Sequence, residues 1–126
     1  MAYVFYNPNP YGKIVGDCVV RALTKALETD WETAYMDVAM KGFVMGDMPS
    51  SNAVWGTLLK EHGFKKKMIN PNEHENYTVA QFCEDHPNGM CVLATGTHVV
   101  AVENGTYYDA GDSGNEIPIY YWIKGN

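Results

Sequence analysis

The chain has little of what disulfide scaffolds, metal sites and nucleic-acid-binding surfaces require. Its three cysteines are an odd number without CxxC spacing, which disfavours both a disulfide framework and a structural zinc site. Nine Lys and Arg against 15 Asp and Glu give a formal net charge of −6. Nucleic acids and anionic membranes are bound through clustered basic residues, so we expect neither as a partner. We also expect no cofactor or metal.

Long apolar runs are also missing. No segment approaches the roughly 18 apolar residues of a membrane span. The N-terminus, MAYVFYNPNPYGK, has no basic lead before an apolar stretch, so we expect no secretory signal and a cytoplasmic protein. What the chain does contain is 46% hydrophobic and 13% aromatic residues in 126 positions, enough for one domain spanning 1–126 with a single core.

Apolar residues recur at helical spacing from residue 17 to residue 86. Four helices are predicted, with their N-terminal caps at or near Asp17, Thr29, Ser51 and Thr78. Glu32 follows the second cap, and Gln81 the fourth, at the spacing of a capping box. The second helix is expected to end near Gly42, the third near His62 and the fourth at His86.

After residue 88 the pattern changes to short runs rich in β-branched and aromatic residues, MCVLAT, HVVAVE, TYYDA and IPIYYWI. Such runs, separated by glycine-containing turns, predict antiparallel strands. Helices first and strands second indicate an α+β fold, with N-terminal helices packed on a C-terminal antiparallel sheet. The lysines at 65–67 are expected at a solvated strand edge or in a loop.

One hairpin places a histidine beside an acid. Asn104 and Gly105 lie between two apolar runs, and Asn-Gly favours a type I′ turn because both positions need positive φ. In that register His98 lies opposite Gly111, and Asp109 is its diagonal neighbour on the same face of the sheet. Asp112 falls on the other face, so Asp109 is the better partner for His98. Alternatively, both are ordinary residues of a hairpin end.

The stretch VGDCVVRAL raises the question of why a thiol stands at the first turn of a helix. Cys18 is either a small apolar residue or a nucleophile, since a helix N-terminus stabilises a thiolate. Cys83 and Cys91 lie in apolar segments and are expected in the core. The remaining histidines are expected at helix ends or in a polar loop: His62, His86 and His74.

The order of these elements resembles the papain-like cysteine peptidases, including the small domains that process bacteriocin leaders and the papain-like cell-wall endopeptidases. The resemblance rests on GDCVVRAL at 16–23, GTHVVAV at 96–102 and TYYDAGDSG at 106–114. The stretches TVAQFCEDHPNG and MCVLATGTHVVAVENGTYYDAG are also similar to small proteins encoded by phages and prophages. The resemblance implies a papain-like fold and a cysteine peptidase or amidase that acts on a protein or peptide.

By this resemblance Cys18 is the nucleophile, His98 the base and Asp109 the acid that orients the base. Papain-like peptidases usually carry a Gln shortly before the nucleophile, whose amide stabilises the oxyanion. This chain has none there, so the donor is expected from Asn7, Asn9 or backbone N–H groups alone. The carboxylate of Asp17 would oppose thiolate formation unless it is occupied in capping.

Further interpretations stay open from the sequence. The cleft is expected between the helix of Cys18 and the strand of His98, where Tyr11, Trp55 and the loop at 45–48 could line it. The substrate could instead be peptidoglycan, as for an endopeptidase. A catalytically inactive papain-like protein-binding module is a third possibility, and an unrelated α+β domain in which the three residues never meet is a fourth.

Overall fold

The computed structural model describes residues 2–70 and 76–125. In this part the chain forms four helices, namely α1 (Cys18–Ala26), α2 (Trp31–Met45), α3 (Asn52–Glu61) and α4 (Val79–Asp85). It also forms six strands, namely β1 (Tyr3–Phe5), β2 (Phe64–Met68), β3 (Met90–Ala94), β4 (Val99–Glu103), β5 (Thr106–Asp109) and β6 (Tyr120–Lys124). None of the helices found within those residues has the length and apolar character needed to cross a membrane.

All six strands belong to one mixed sheet in the order β1-β5-β4-β3-β6-β2. The α+β class is confirmed, and β3 to β6 form the predicted antiparallel sheet. The expectation that the sheet is wholly antiparallel and C-terminal is wrong, because β1 pairs with β5 in parallel and β2 pairs with β6. β1 has only three residues, too few to show an alternating pattern. The lysines at 65–67 lie on the edge strand β2, where charge discourages pairing with another chain.

Three of the four predicted helix starts are confirmed, and that of α2 is wrong by one residue. Its N-terminal cap is Asp30, whose carboxylate accepts a hydrogen bond from Thr33 N–H at 2.7 Å. α2 also continues past Gly42 and ends at Gly46, which adopts φ 69°. Gly42 is tolerated in this helix because the following loop packs on it: a Cβ there would lie 2.8 Å from the Asp47 carbonyl oxygen.

Helices cover both faces of the sheet. α1 and α3 pack on one face through a large apolar cluster that includes Leu23, Trp55 and Val92. α4 packs on the other face, where Phe82 and Val102 belong to a second cluster. α2 packs against α1 and α3, so it forms an outer layer on the first face.

The β4–β5 hairpin has the register that the Asn-Gly turn predicts. Glu103 pairs with Thr106, and Asn104 and Gly105 have φ values of 50° and 76°. This pair fixes every other residue pair between β4 and β5, because each step along one strand is matched by one step along the other. The end of β5, at Asp109, is thereby brought next to the residue that precedes β4, His98.

Candidate active site

Cys18 is the first residue of α1 and is half-buried. The inner side of α1, including Val19, Ala22 and Leu23, packs against the sheet, and this contact sets the N-terminus of the helix beside the start of β4. There the His98 ring and the backbone N–H of Val99 lie close enough to the sulfur of Cys18 to lower its pKa. Two residues that are 80 positions apart in the chain are thus brought together.

His98 connects the thiol to an acid. Its Nε2 donates a hydrogen bond of 2.6 Å to Oδ2 of Asp109, and its side chain is 21% exposed. Because Nε2 is occupied, Nδ1 is the nitrogen left to face Cys18. The diagonal relation between His98 and Asp109 is therefore present, and the interpretation in which Cys18, His98 and Asp109 never meet is excluded.

Asp109 is almost fully buried, with a side chain only 2% exposed, and both oxygens of its carboxylate accept hydrogen bonds. Oδ2 accepts from His98 and from Ser113 Oγ, at 2.6 and 2.7 Å. Oδ1 accepts from the backbone N–H of Ala110 at 2.8 Å and forms an ion pair with Nη2 of Arg21 at 2.9 Å. Three hydrogen bonds and one ion pair hold the carboxylate ionised and fix its plane, which in turn fixes the ring of His98.

Arg21 also belongs to the site, although it was not among the site residues predicted from the sequence. Its guanidinium is buried and joins two carboxylates, with Nη1 2.6 Å from Asp17 Oδ1 and Nη2 2.9 Å from Asp109 Oδ1. The available signal was the i, i+4 spacing of Asp17 and Arg21 on the helix that also carries the thiol. Ser113, four residues after Asp109, was missed as well.

Asp17 is the N-terminal cap residue of α1, but its side chain makes no capping hydrogen bond. It binds Arg21 and accepts a hydrogen bond from Trp31 Nε1 at 2.9 Å. Capping therefore does not occupy this carboxylate; the Arg21 cation balances its charge instead. The side chain of Asp17 therefore leaves the N–H groups of the first turn of α1, next to the thiol, uncovered.

The hydrogen bonds and charges shift the titration of the thiol and the imidazole in opposite directions. Burial alone would raise the pKa of Cys18, but hydrogen bonds from His98 and Val99 and the positive charges of His98 and Arg21 lower it below its usual value. The hydrogen bond to Asp109, together with that to Cys18, raises the pKa of His98 to about 10. Both shifts favour a thiolate beside an imidazolium.

The pKa of Asp109 is also shifted. Burial would raise it, but the hydrogen bonds from His98 and Ser113 and the charges of His98 and Arg21 outweigh burial, and the pKa is lowered. Asp109 is thus ionised near neutral pH, where the raised pKa of His98 keeps the imidazole protonated. Asp112 does not approach His98; its Oδ1 accepts from the Tyr107 hydroxyl and from Gly114 N–H.

A cavity of about 320 Å³ lies beside His98 and Asp109, with Ile14 and Val15 among its walls. The expectation that Trp55 lines a cleft is wrong, because Trp55 is fully buried in the core and lies parallel to the ring of Tyr120.

Tyr11 and the loop at 45–48 are not among the walls of the cavity beside His98. The loop borders a separate shallow hollow beside Phe43, and Tyr11 is 80% exposed. The side chains of the two asparagines bond within the N-terminal segment: Asn7 Nδ2 donates to the Lys13 carbonyl, and Asn9 Oδ1 accepts from Tyr11 N–H.

The other cysteines and histidines are separate from this site. Cys83 and Cys91 are buried, and burial raises their pKa values to about 11 and about 12. His62 and His86 each hydrogen-bond a backbone carbonyl one turn earlier in their helices. His74 lies outside the described residues. Within the described parts of the chain, no group of three or more His, Cys, Asp or Glu side chains could hold a metal ion.

The chain was compared with protein families, with curated proteins and with solved structures. None of the three comparisons finds a match. Function is therefore inferred from the residues around Cys18 and from their geometry.

Replacing Arg21 by Met should destabilise the protein by about 3–5 kcal/mol, because it leaves two buried carboxylates without their shared cation. Urea unfolding near neutral pH measures this change. Lys25→Met is the matched control on the same helix: Lys25 pairs with Glu103 at 3.2 Å, but both side chains are partly exposed, so the loss should be about 1 kcal/mol or less. Equal losses in the two variants would contradict the bridging role of Arg21.

Alkylation by iodoacetamide should distinguish the three cysteines. We expect Cys18 to react in the folded protein with an apparent pKa below the usual value of about 8.5, whereas Cys83 and Cys91 react only after unfolding. Above its pKa the thiol is a thiolate and the rate is constant; below it, the rate falls as pH decreases. In His98→Ala the pKa of Cys18 should rise, because burial remains while the hydrogen bond and charge of His98 are lost.

The rates are measured for each cysteine by mass spectrometry between about pH 5 and 10. His86→Ala is the control, since His86 stacks on Phe82 at 3.8 Å and has no contact with the site. An apparent pKa of Cys18 that is the same in His98→Ala as in the unchanged protein would disprove the thiolate–imidazolium pair.

Proposed function

We propose that this chain is a cysteine peptidase or amidase, a thiol hydrolase of papain-like type that cleaves a peptide or isopeptide amide through a thioester on Cys18. The observation that carries the proposal is the arrangement in which Cys18 lies beside His98 and His98 is hydrogen-bonded to the buried Asp109. A nucleophile, a base and a group that orients the base are the three parts that covalent acyl transfer needs.

In the first step the thiolate of Cys18 attacks the carbonyl carbon of the amide. His98, protonated on Nδ1, gives that proton to the leaving nitrogen as the C–N bond breaks. An amine leaves, and the acyl group remains on sulfur as a thioester. The hydrogen bond from Nε2 to Asp109 keeps Nδ1 directed at the reacting atoms.

In the second step water hydrolyses the thioester. The negative charge of the thiolate contributes to the raised pKa of His98, and this contribution disappears once sulfur is acylated. His98, neutral after giving its proton to the amine, removes a proton from water, which attacks the acyl carbon. The C–S bond breaks, the carboxylic acid leaves, and Cys18 returns as a thiolate beside the protonated His98.

Backbone N–H groups at the start of α1 are the donors available for the oxyanion, since no capping side chain of Asp17 occupies them. A helix N-terminus also stabilises negative charge there. The Gln that papain-like peptidases carry before the nucleophile is absent. Loss of one oxyanion donor costs about 100-fold to 1000-fold in rate in other hydrolases, so we expect slow turnover unless the substrate or a partner supplies a donor.

The proposal is tested by incubating the protein with a broad mixture of peptides and identifying new termini by mass spectrometry. We expect cleavage that Cys18→Ala reduces by at least about 1000-fold, and an acyl adduct on Cys18 that hydroxylamine removes. Cleavage of purified peptidoglycan, but not of peptides, would keep the chemistry and change the substrate. Absence of both activities, together with a Cys18 that alkylates like a free thiol, would reject catalysis in favour of a binding module.

Asp109→Asn should lower kcat by about 1000-fold to 10,000-fold, because an amide cannot hold the same tautomer of His98. Asp112→Asn is the matched control: it removes a carboxylate from the same segment that binds Tyr107 rather than His98, and the loss should be below about tenfold. Comparable losses in both variants would mean that Asp109 does not act through His98.

A further inference from the structure

α2 carries apolar side chains on the side that faces solvent as well as on the side that faces the protein. Ala34, Val38 and Gly42 are buried against neighbouring elements. On the opposite side four large apolar residues are exposed, namely Met36 (61%), Met40 (57%), Phe43 (83%) and Val44 (72%). A helix at a protein surface normally has a polar outer side, so this arrangement is unusual for a helix without a partner.

These four residues form one continuous row. Met36, Met40 and Val44 are four residues apart and Phe43 is three after Met40, which places them on a single side of the helix, and Met48, 67% exposed, extends the row beyond its end. We call Met36, Met40, Phe43, Val44 and Met48 the α2 outer face. Monomeric soluble proteins rarely expose contiguous apolar patches larger than a few hundred Å². Methionine side chains in particular adapt to a partner's shape.

We propose that the α2 outer face is a docking surface for a helix of another protein, apolar on one side and basic near both ends. The charges at the two ends of the row determine which kind of partner the surface favours. Glu32 lies one turn before Met36, and Asp47 lies between Val44 and Met48.

The acids around the row are available to a partner. Among the ion pairs of the described residues, none involves Glu32, Asp37 or Asp47. The nearby Lys41 is bound to Glu61 at 2.8 Å, so it does not neutralise them. A surface that is apolar along its centre and acidic at its ends is complementary to an amphipathic helix with Lys or Arg at its ends.

The same charges argue against the other occupants of an apolar face. If a second copy paired through α2 in antiparallel orientation, Glu32 would meet Asp47 of the other copy at both ends. In parallel orientation each acid would meet its own equivalent, and like charges across an interface are unfavourable. An anionic membrane surface would repel the same acids.

The length of the partner follows from helix geometry. α2 has 15 residues, which corresponds to about 22 Å along a helix, or roughly four turns, and Glu32 and Asp47 lie close to its two ends. Because docking on this face does not use Cys18, the inference holds whether or not the chain is a hydrolase.

The test uses a fluorescent synthetic helix of about 16 residues, with Leu on one side and Lys at both ends, and an analogue that has Glu in place of Lys. We expect fluorescence anisotropy to show the basic peptide binding at least about tenfold more tightly than the acidic one. Met40→Glu and Phe43→Glu should each weaken binding by about tenfold or more. Met68→Glu is the matched control, since Met68 is 67% exposed on β2, and should change binding less than about twofold.

An unchanged rate of Cys18 alkylation establishes that each variant is folded. The proposal is overturned if the basic peptide fails to bind the unchanged protein up to about 100 µM, or if Phe43→Glu and Met68→Glu have equal effects. A concentration-dependent dimer in sedimentation equilibrium that Phe43→Glu abolishes would assign the face to a second copy instead. Binding to phosphatidylcholine vesicles that Phe43→Glu abolishes would assign it to a lipid surface.

Discussion

The carboxylate of Asp109 is the point on which the site depends. It accepts three hydrogen bonds, from Ser113 in the loop after β5, from the adjacent backbone and from His98 before β4, and it forms an ion pair with Arg21 on α1. A buried carboxylate is costly unless all of its acceptor positions are occupied. Satisfying this one requires the helix, the hairpin and the loop to take fixed relative positions, and those positions also bring Cys18 to His98.

The buried charges alternate in sign along a single path. Asp17 is negative, Arg21 positive and Asp109 negative, and the pKa shifts of His98 and Cys18 favour an imidazolium and a thiolate, which would continue the alternation. Each charge thus has a neighbour of opposite sign in an environment that water screens poorly. The same arrangement that makes the ionised pair stable also provides a nucleophile and a proton donor for the proposed acyl transfer.

α2 connects this charge series to the outer surface of the protein. Its first residue, Trp31, donates a hydrogen bond to Asp17, while its exposed side carries the α2 outer face. A helix that contacts the site network at one end and presents apolar side chains to solvent along its length has two roles in one element. The inner contact needs one indole N–H, and the outer side is free to bind a partner.

The sequence by itself determined the features that depend on neighbouring residues. Asn104 and Gly105 specify the hairpin, because a two-residue turn with positive φ fixes the register of both strands, and the register places Asp109 beside His98. The position of Cys18 at the first residue of α1, directly after the cap Asp17, is likewise local. Only the tertiary structure decided that α1 packs with its thiol against His98 and that Arg21 reaches Asp109. Those contacts depend on how a helix and a sheet distant in sequence pack together, and helical periodicity shows which side of α1 is buried but not which strand that side meets.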